Sequence, residues 1–171
     1  MIRKCTVDEF EKILAIINEA AQAYKGVIPA ECWHEPYMDA EHFKKEISYE
    51  VQFYGFEEEG KLVGVIGLQK FNYVTLVRHA YVLPSHQGKG IGSQLLEHVK
   101  TLTDKPLLVG TWKDTAWSIK FYEKHGFKIV TGPETKRLLA RYWIITDVHR
   151  INSVVLGDAK WFSTEYPKLV K

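Results

Sequence analysis

The sequence predicts an α/β domain on a mixed sheet. Apolar residues at helical spacing alternate with short apolar runs of strand composition. Three such runs follow one another in the middle of the chain with hairpin-length connections, so an antiparallel meander is expected there. The second half alternates helix and strand, the pattern of βαβ units.

Taken in order, Ile2 to Cys5 is a short strand, and Thr6 with Glu9 forms a T-x-x-E capping box. Phe10, Ile13, Leu14, Ile17 and Ala21 make one apolar helix face, with Gly26 placed to end it. Tyr24 to Tyr37 is irregular, broken by Pro29 and Pro36, and a second helix is expected from Asp39 to Ile47, with Phe43 and Ile47 sharing a face. Val51 to Glu57, Lys61 to Lys70 and Tyr73 to Leu83 are the meander, with a turn at Glu59-Gly60. Gly64 and Gly67 inside a strand point to close approach of another backbone or a ligand. Ile91, Leu95, Leu96, Val99 and Leu102 form the next helical stripe. Leu107 to Trp112 is a buried strand; Asp114 would cap a helix to His125 that ends at Gly126. Phe127 to Thr131 is a strand, 134 to 145 a helix, Asn152 to Leu156 a final strand, and 158 to 171 a tail.

With 171 residues, 46% hydrophobic and 26% charged, the chain suits one domain, 1 to 171, with a single sizeable core. A formal charge of +2 argues against broad nucleic-acid binding, and the basic helix 134–145 reads as a solvated face. No apolar run approaches the ~20 residues of a membrane span, and no secretory signal is visible, so no membrane partner is expected. Cys5 and Cys32 make neither a disulfide framework nor a CxxC, which fits a reducing, cytoplasmic location. The seven histidines show no HxxxH or HExxH, so no metal site is expected.

The chemistry concentrates at Gln87-Gly88-Lys89-Gly90-Ile91-Gly92-Ser93, which follows a strand and opens a helix. Its three glycines let successive backbone N–H groups converge, and the helix N-terminus adds unpaired donors, an arrangement suited to a phosphate or pyrophosphate. A Walker loop would need Ser or Thr after Lys89 and finds Gly90. A Rossmann register starting at Gly88 and Gly90 ends on Ser93.

This loop resembles the Q-x-x-G-x-G/A pyrophosphate loop of the GNAT N-acetyltransferases. Phe121-Tyr122-Glu123-Lys124-His125-Gly126-Phe127 is similar to that family's second hallmark, [F/L]-Y-x-x-x-G-F. The similarity is strongest over 61–131, and the element order matches over about 1–157. The resemblance implies a GNAT-like acyltransferase fold with a splay between the fourth and fifth strands. It also implies acetyl-CoA as co-substrate and direct attack of a neutral amine of a small molecule or peptide terminus on the thioester. By similarity, Tyr81 and Val82 would bond the pantetheine amides, and Gln87, Gly88, Lys89, Gly90, Ile91, Gly92 and Ser93 the pyrophosphate, with Lys120 and Lys124 adding charge nearby. Tyr122 would protonate the departing thiolate; reference pKa values of ~10 for Tyr and ~8.5 for a thiol are compatible. Trp33 and Tyr37 would line the acceptor pocket.

Two positions depart from the family. Thr115 stands where many relatives carry Asn and would by similarity bind the cofactor with a shorter reach, and Gly110 stands where some relatives place a catalytic carboxylate on the fifth strand. The general base is therefore open between His79, whose intrinsic pKa near ~6.5 suits an ammonium, and a water chain to bulk, with His34 and Glu35 as weaker candidates. A coenzyme A-binding sensor or structural subunit with little turnover is the alternative function, and a homodimer is expected only by analogy.

Overall fold

Arg3, Thr6 and Glu9 start the first helix together. Thr6 N–H donates to Glu9 Oε2 at 3.0 Å, and the same carboxylate receives the Arg3 guanidinium bidentately at 2.7 and 2.8 Å. The expected capping box thus also ties strand β1 (Ile2–Lys4) to helix α1 (Phe10–Ala20), through one 3₁₀ turn at Val7–Glu9. The computed structural model describes residues 1–171, which fall into two compact units, each with its own sheet strands and core.

The first unit comprises Met1–Ala23, His34–Phe71 and Leu76–Asp104. After α1 it holds α2 (Ala40–Ser48), β2 (Gln52–Glu58), β3 (Lys61–Lys70), β4 (Thr75–Val82) and α3 (Ile91–Lys100), with strands in the order β1-β2-β3-β4. β2 pairs antiparallel with both neighbours, Arg3 opposite Gly55 and Gly55 opposite Val65. Strand alternation then gives the sheet two packed faces. On one, Phe53 meets Phe43 of α2 at 5.3 Å, and Phe43 meets Phe10 of α1 at 4.7 Å, within a cluster that includes Ile13, Leu14, Ile17 and Val65. On the other, Gly64 admits α3: a Cβ there would lie 3.1 Å from Ile91 Cγ2 and 3.2 Å from Leu95 Cδ1. At Gly67 a Cβ would sit 3.0 Å from the Arg78 carbonyl oxygen. The close approach of backbone expected at these glycines is met at Gly67 by β4, whereas at Gly64 what approaches is the side chains of α3.

Three local expectations for this unit change. α1 stops at Ala20, ahead of Gly26, because Ala21–Tyr24 tightens into a 3₁₀ turn that seats Ala21 in the interior. In α2, capped by Asp39 Oδ1 accepting from His42 N–H at 2.7 Å, Phe43 is fully buried but Ile47 is 43% exposed. The inward position is taken by Glu46, which has Arg78 and His79 to meet. In β4, strict alternation would put Arg78 and His79 on opposite faces. Instead, φ of +49° at His79 breaks the pleat and both side chains reach one carboxylate.

The second unit comprises Tyr24–Trp33, Asn72–Thr75 and Lys105–Lys171. It contains β5 (Leu107–Trp112), α4 (Ala116–Lys124), β6 (Lys128–Ile129), α5 (Pro133–Tyr142), α6 (Asp147–Ile151), β7 (Ser153–Gly157), α7 (Ala159–Thr164) and α8 (Tyr166–Leu169). The strand order is β5-β7-β6. β7 is antiparallel to both neighbours, with Leu156 opposite Val109 and Ile129, so β5 and β6 run parallel to each other and the pairing is mixed.

β6 is shorter than the expected 127–131, because Phe127 turns inward onto Tyr122. α5 ends at Tyr142, short of 145, where Trp143 turns extended to lie over Gly110. The five-residue α6, capped by Thr146, is too short to show a period and has no counterpart among the expected elements. Residues 158 to 171 are not a loose tail. Asp158 Oδ1 accepts from Trp161 N–H at 2.8 Å to start α7, and Trp161, 1% exposed, packs with Phe162 and Tyr166. No helix is long and apolar enough to cross a membrane.

Two outcomes are expected. A Cβ at Gly157 would lie 2.7 Å from the Trp161 ring. Gly157→Ala should therefore displace that indole and cost about 1–3 kcal/mol, typical of overpacking, read as a lower Tm in thermal unfolding; an unchanged Tm would show that the indole yields freely. Separately, the Arg3 guanidinium, then Thr6 N–H, lower the Glu9 pKa to about 2. The unfolded carboxylate titrates near ~4.3, so this stabilisation is complete above that value and lost as pH falls toward about 2. The stability advantage of wild type over Glu9→Gln in urea titrations should shrink between about pH 5 and about pH 3. A constant advantage would mean that the pair does not hold the charge.

Candidate active site

The glycine-rich turn is built as a backbone cradle. A 3₁₀ turn at Pro84–His86 carries the chain out of β4, and the Gln87 side-chain amide donates back to the Val82 carbonyl at 3.0 Å, closing the base of the loop. Gly88 and Gly90 have φ of +77° and +78°, values that L side chains rarely adopt, with nothing within 4 Å of where a Cβ would stand. Gly90 is the N-cap of α3, and no side chain caps the helix. The first turn's N–H groups have no acceptor earlier in the helix, and they sit at the positive end of the helix dipole. Ile91 is buried against Gly64 and pins that helix end, so only its backbone is offered outward. Lys89 is exposed, its Nζ 3.9 Å from Glu58 Oε2, which also takes His86 Nε2 at 3.2 Å. This is the geometry of a phosphate site held by main chain. The end of β4 is less open than the loop. Tyr81 is half-buried and packs against the first unit's core, and the Val82 carbonyl is committed to Gln87.

In the second unit, the hallmark around Tyr122 is a helix terminus. Gly126, φ +87°, follows the C-cap His125. Gly126 N–H donates to Glu123 O and Phe127 N–H to Tyr122 O, both at 3.1 Å, the paired bonds of a Schellman motif. Phe127 folds back edge-on to the Tyr122 ring at 5.7 Å, while Phe121 meets its other side at 5.1 Å. The spacing from tyrosine to glycine to phenylalanine therefore fixes the tyrosine ring. Burial raises the Tyr122 pKa far above its ordinary value, so the group holds its proton. The sole sealed side-chain polar atom without a partner is Arg150 Nε, so the Tyr122 hydroxyl is not a stranded donor.

Thr115 is the N-cap of α4 in place of the expected Asp114. It is fully buried, and its hydroxyl donates to Trp112 O at 2.8 Å. Gly110 has a local cause: a Cβ there would be 3.1 Å from the Trp143 indole, which occupies the space a longer side chain would need. Trp33, half-buried, ends the 3₁₀ turn Ala30–Cys32 of the second unit. In the first unit, Tyr37 packs against the cluster of Met38 and Phe43. His34 and Glu35 are exposed, and Glu35 accepts from Gln22 at 3.1 Å.

His79 is the sequence candidate whose surroundings carry most chemistry. Its Nε2 lies 3.0 Å from Glu46 Oε2, which also takes Arg78 Nη2 at 2.7 Å; Glu46 Oε1 faces His42 Nε2 at 3.5 Å. Arg78 Nη1 continues to Gln69 Oε1 at 2.8 Å, and Gln69 Nε2 to Tyr49 O at 3.0 Å. The His79 ring stacks on Phe53, 6.0 Å between centroids. Burial lowers the His79 pKa, opposed by the Glu46 hydrogen bond, and the net shift is toward the neutral imidazole. Burial works to raise the Glu46 pKa, but hydrogen bonds from His42 and His79 and the charge of Arg78 prevail and hold it ionised. Sequence reasoning missed Glu46, Arg78, Gln69 and His42. The available signal was Glu46 three residues after Phe43, a charge on the apolar side of a helix.

No group of three His, Cys, Asp or Glu side chains is arranged to hold a metal ion. Residues 50–129 match the family of the acetyltransferase (GNAT) domain. Among solved structures, the chain is similar to the PaiA N-acetyltransferase of Thermoplasma acidophilum in complex with coenzyme A. The match has 20% identity and a TM-score of 0.70, over 92% of this chain and 97% of that one. It is also similar to a GNAT family acetyltransferase of Elizabethkingia anophelis with acetyl-CoA bound, at 17% identity and TM-score 0.63 over 92% and 96%. A third is the ribosomal-protein-alanine N-acetyltransferase of Brucella melitensis, at 20% identity and TM-score 0.61 over 92% and 97%. At these identities the structures speak for the fold, and the family match covers both hallmark segments. What is shown is thus a match of residues 50–129 to the acetyltransferase (GNAT) domain family, and a fold shared with N-acetyltransferases of known structure.

Proposed function

We propose that the protein transfers the acetyl group of acetyl-CoA to a primary amine of a small molecule or peptide terminus, by direct attack on the thioester. The observation that carries this is the turn from Gln87 to Ser93, a main-chain cradle at an uncapped helix start with no Cβ in its way. In this reading the backbone N–H groups from Gly88 to Ser93 hold the pyrophosphate, and Lys89 exchanges its contact with Glu58 for one with phosphate. The backbone at Tyr81 and Val82 meets the pantetheine arm. Trp33 and Tyr37 contact the acceptor. His79 takes the ammonium proton, and Tyr122 gives its hydroxyl proton to the departing sulfur. Thr115 serves through its place at the start of α4, since its hydroxyl is bonded to Trp112. Incubation with radiolabelled acetyl-CoA and a mixed amine panel tests the reaction. Labelled amide product supports it, whereas tight acetyl-CoA binding with no product from any amine favours a sensor or structural subunit.

Two variants dissect the site. Gly90→Val forces a β-branched residue into φ of +78° and sets its Cβ where a phosphate would approach. Acetyl-CoA affinity measured by calorimetry should fall by about tenfold or more, equal to ~1.4 kcal/mol, and wild-type affinity would move the site elsewhere. Tyr122→Phe keeps the ring between Phe121 and Phe127 and removes only the hydroxyl. Single-turnover acetyl transfer should slow by about 10²-fold with acetyl-CoA affinity unchanged. An unaltered single-turnover rate would remove Tyr122 as the acid.

A further inference from the structure

The first unit buries a charged network apart from the Gln87–Ser93 turn. Glu46 on α2 and Arg78 on β4 have side chains only 7% and 11% exposed, and they are bonded at 2.7 Å. An ion pair withdrawn from water contributes little stability after desolvation and is weak evidence of a stabilising role. Its geometry does something more specific. An ionised carboxylate only accepts hydrogen bonds. Arg78 at 2.7 Å keeps Glu46 ionised, so the His79 nitrogen 3.0 Å from the same oxygen must carry the hydrogen. That nitrogen is Nε2. A neutral imidazole has one N–H, so the Nδ1 lone pair is bare.

The ring is also held in place. Phe53 stacks on its face, and φ of +49° at His79 turns it toward α2 beside Arg78, where a regular strand would point it away. The His79 side chain is 13% exposed and that of Glu46 7%. The charged and titratable groups facing the ring are Glu46 and His42 from α2 and Arg78 from β4; β2 contributes the apolar Phe53.

We infer that Glu46 is a positioning residue for acetyl transfer: by accepting the Nε2 proton of His79, it makes His79 Nδ1 the atom that receives the acceptor's ammonium proton. This rests on the reading of the protein as an amine acetyltransferase. The proton balance closes without another reagent. The ammonium gives one proton to Nδ1, leaving an imidazolium hydrogen-bonded to Glu46 that returns this proton to solvent before the next turnover. The neutral amine forms the C–N bond as the C–S bond breaks. The nitrogen loses its second proton to water, and the thiolate receives the Tyr122 proton, which solvent restores. The net yield is amide, thiol and one proton.

Long-range ¹H–¹⁵N spectra of the free wild-type protein near neutral pH read the tautomer directly, without any substrate. The expected result is a neutral His79 with its proton on Nε2; a proton on Nδ1 would overturn the inference. Glu46→Gln keeps the shape and removes the charge. Loss of that anion lowers the affinity of His79 for a proton. The acid limb of the single-turnover rate against pH should therefore move to lower pH, and the plateau rate should fall about tenfold, as a weaker base gives a slower transfer. A purely structural Glu46 would change stability and leave that limb in place. His79→Gln should abolish the limb. If Glu46→Gln does not fold, Glu46→Asp, which keeps the charge on a shorter arm, should lower the rate while leaving the limb near its wild-type position; a limb displaced as by charge removal would count against the inference. Absence of amide product from any amine, with acetyl-CoA bound normally, would fell the acetyltransferase reading, whereas a wrong tautomer in an active enzyme would fell the role of Glu46 alone.

Discussion

A carboxylate inside a protein must be met by donors or give up its charge, and Glu46 is met by three. Arg78 and His79 share one of its oxygens and His42 faces the other. The first unit is arranged around that requirement. α2 turns Glu46 rather than Ile47 inward, β4 abandons its pleat at His79 so that two consecutive side chains point the same way, and Gln69 of β3 steadies the far side of Arg78. Gly67 is glycine because the Arg78 carbonyl approaches to where its Cβ would be. A network of this kind adds less to stability than to definition, since each member restricts the rotamer of the next.

Both hallmark segments acquire mechanical meaning from backbone geometry. In the Gln87–Ser93 turn, positive φ at Gly88 and Gly90 bares the main chain, and Ile91 anchors the helix start against Gly64. In the Tyr122–Phe127 segment, Gly126 ends the helix in the left-handed conformation, and the return of the chain places Phe127 on the ring of Tyr122. One motif exposes polar backbone and the other immobilises a phenol. These are different problems, and both are solved by glycines that the chain needs at positive φ.

Two residues of the second unit, Gly110 and Thr115, have local structural causes. Gly110 faces the Trp143 indole, which reaches it because α5 stops at Tyr142. Thr115 commits its hydroxyl to Trp112 O at the strand-to-helix turn. In the first unit, His79 lies on β4 and the carboxylate it meets comes from α2.

The alternation of elements, the meander, the loop at Gln87–Ser93, the Tyr122 segment and the close approach at Gly67 are all legible in the amino-acid order. Each rests on local rules: side-chain period, capping residues, and the freedom of glycine at positive φ. Four features are legible only in the folded chain. Glu46 rather than Ile47 faces inward, His79 shares a side with Arg78, Thr115 rather than Asp114 stands at the N-cap position of α4, and residues 158 to 171 fold as two helices with Trp161 in the interior. A helical period cannot reveal that a charged residue has partners waiting on a strand more than thirty positions away, or that a tryptophan will find a glycine to lie against. Those choices depend on groups that are distant in the chain and adjacent only once it has folded.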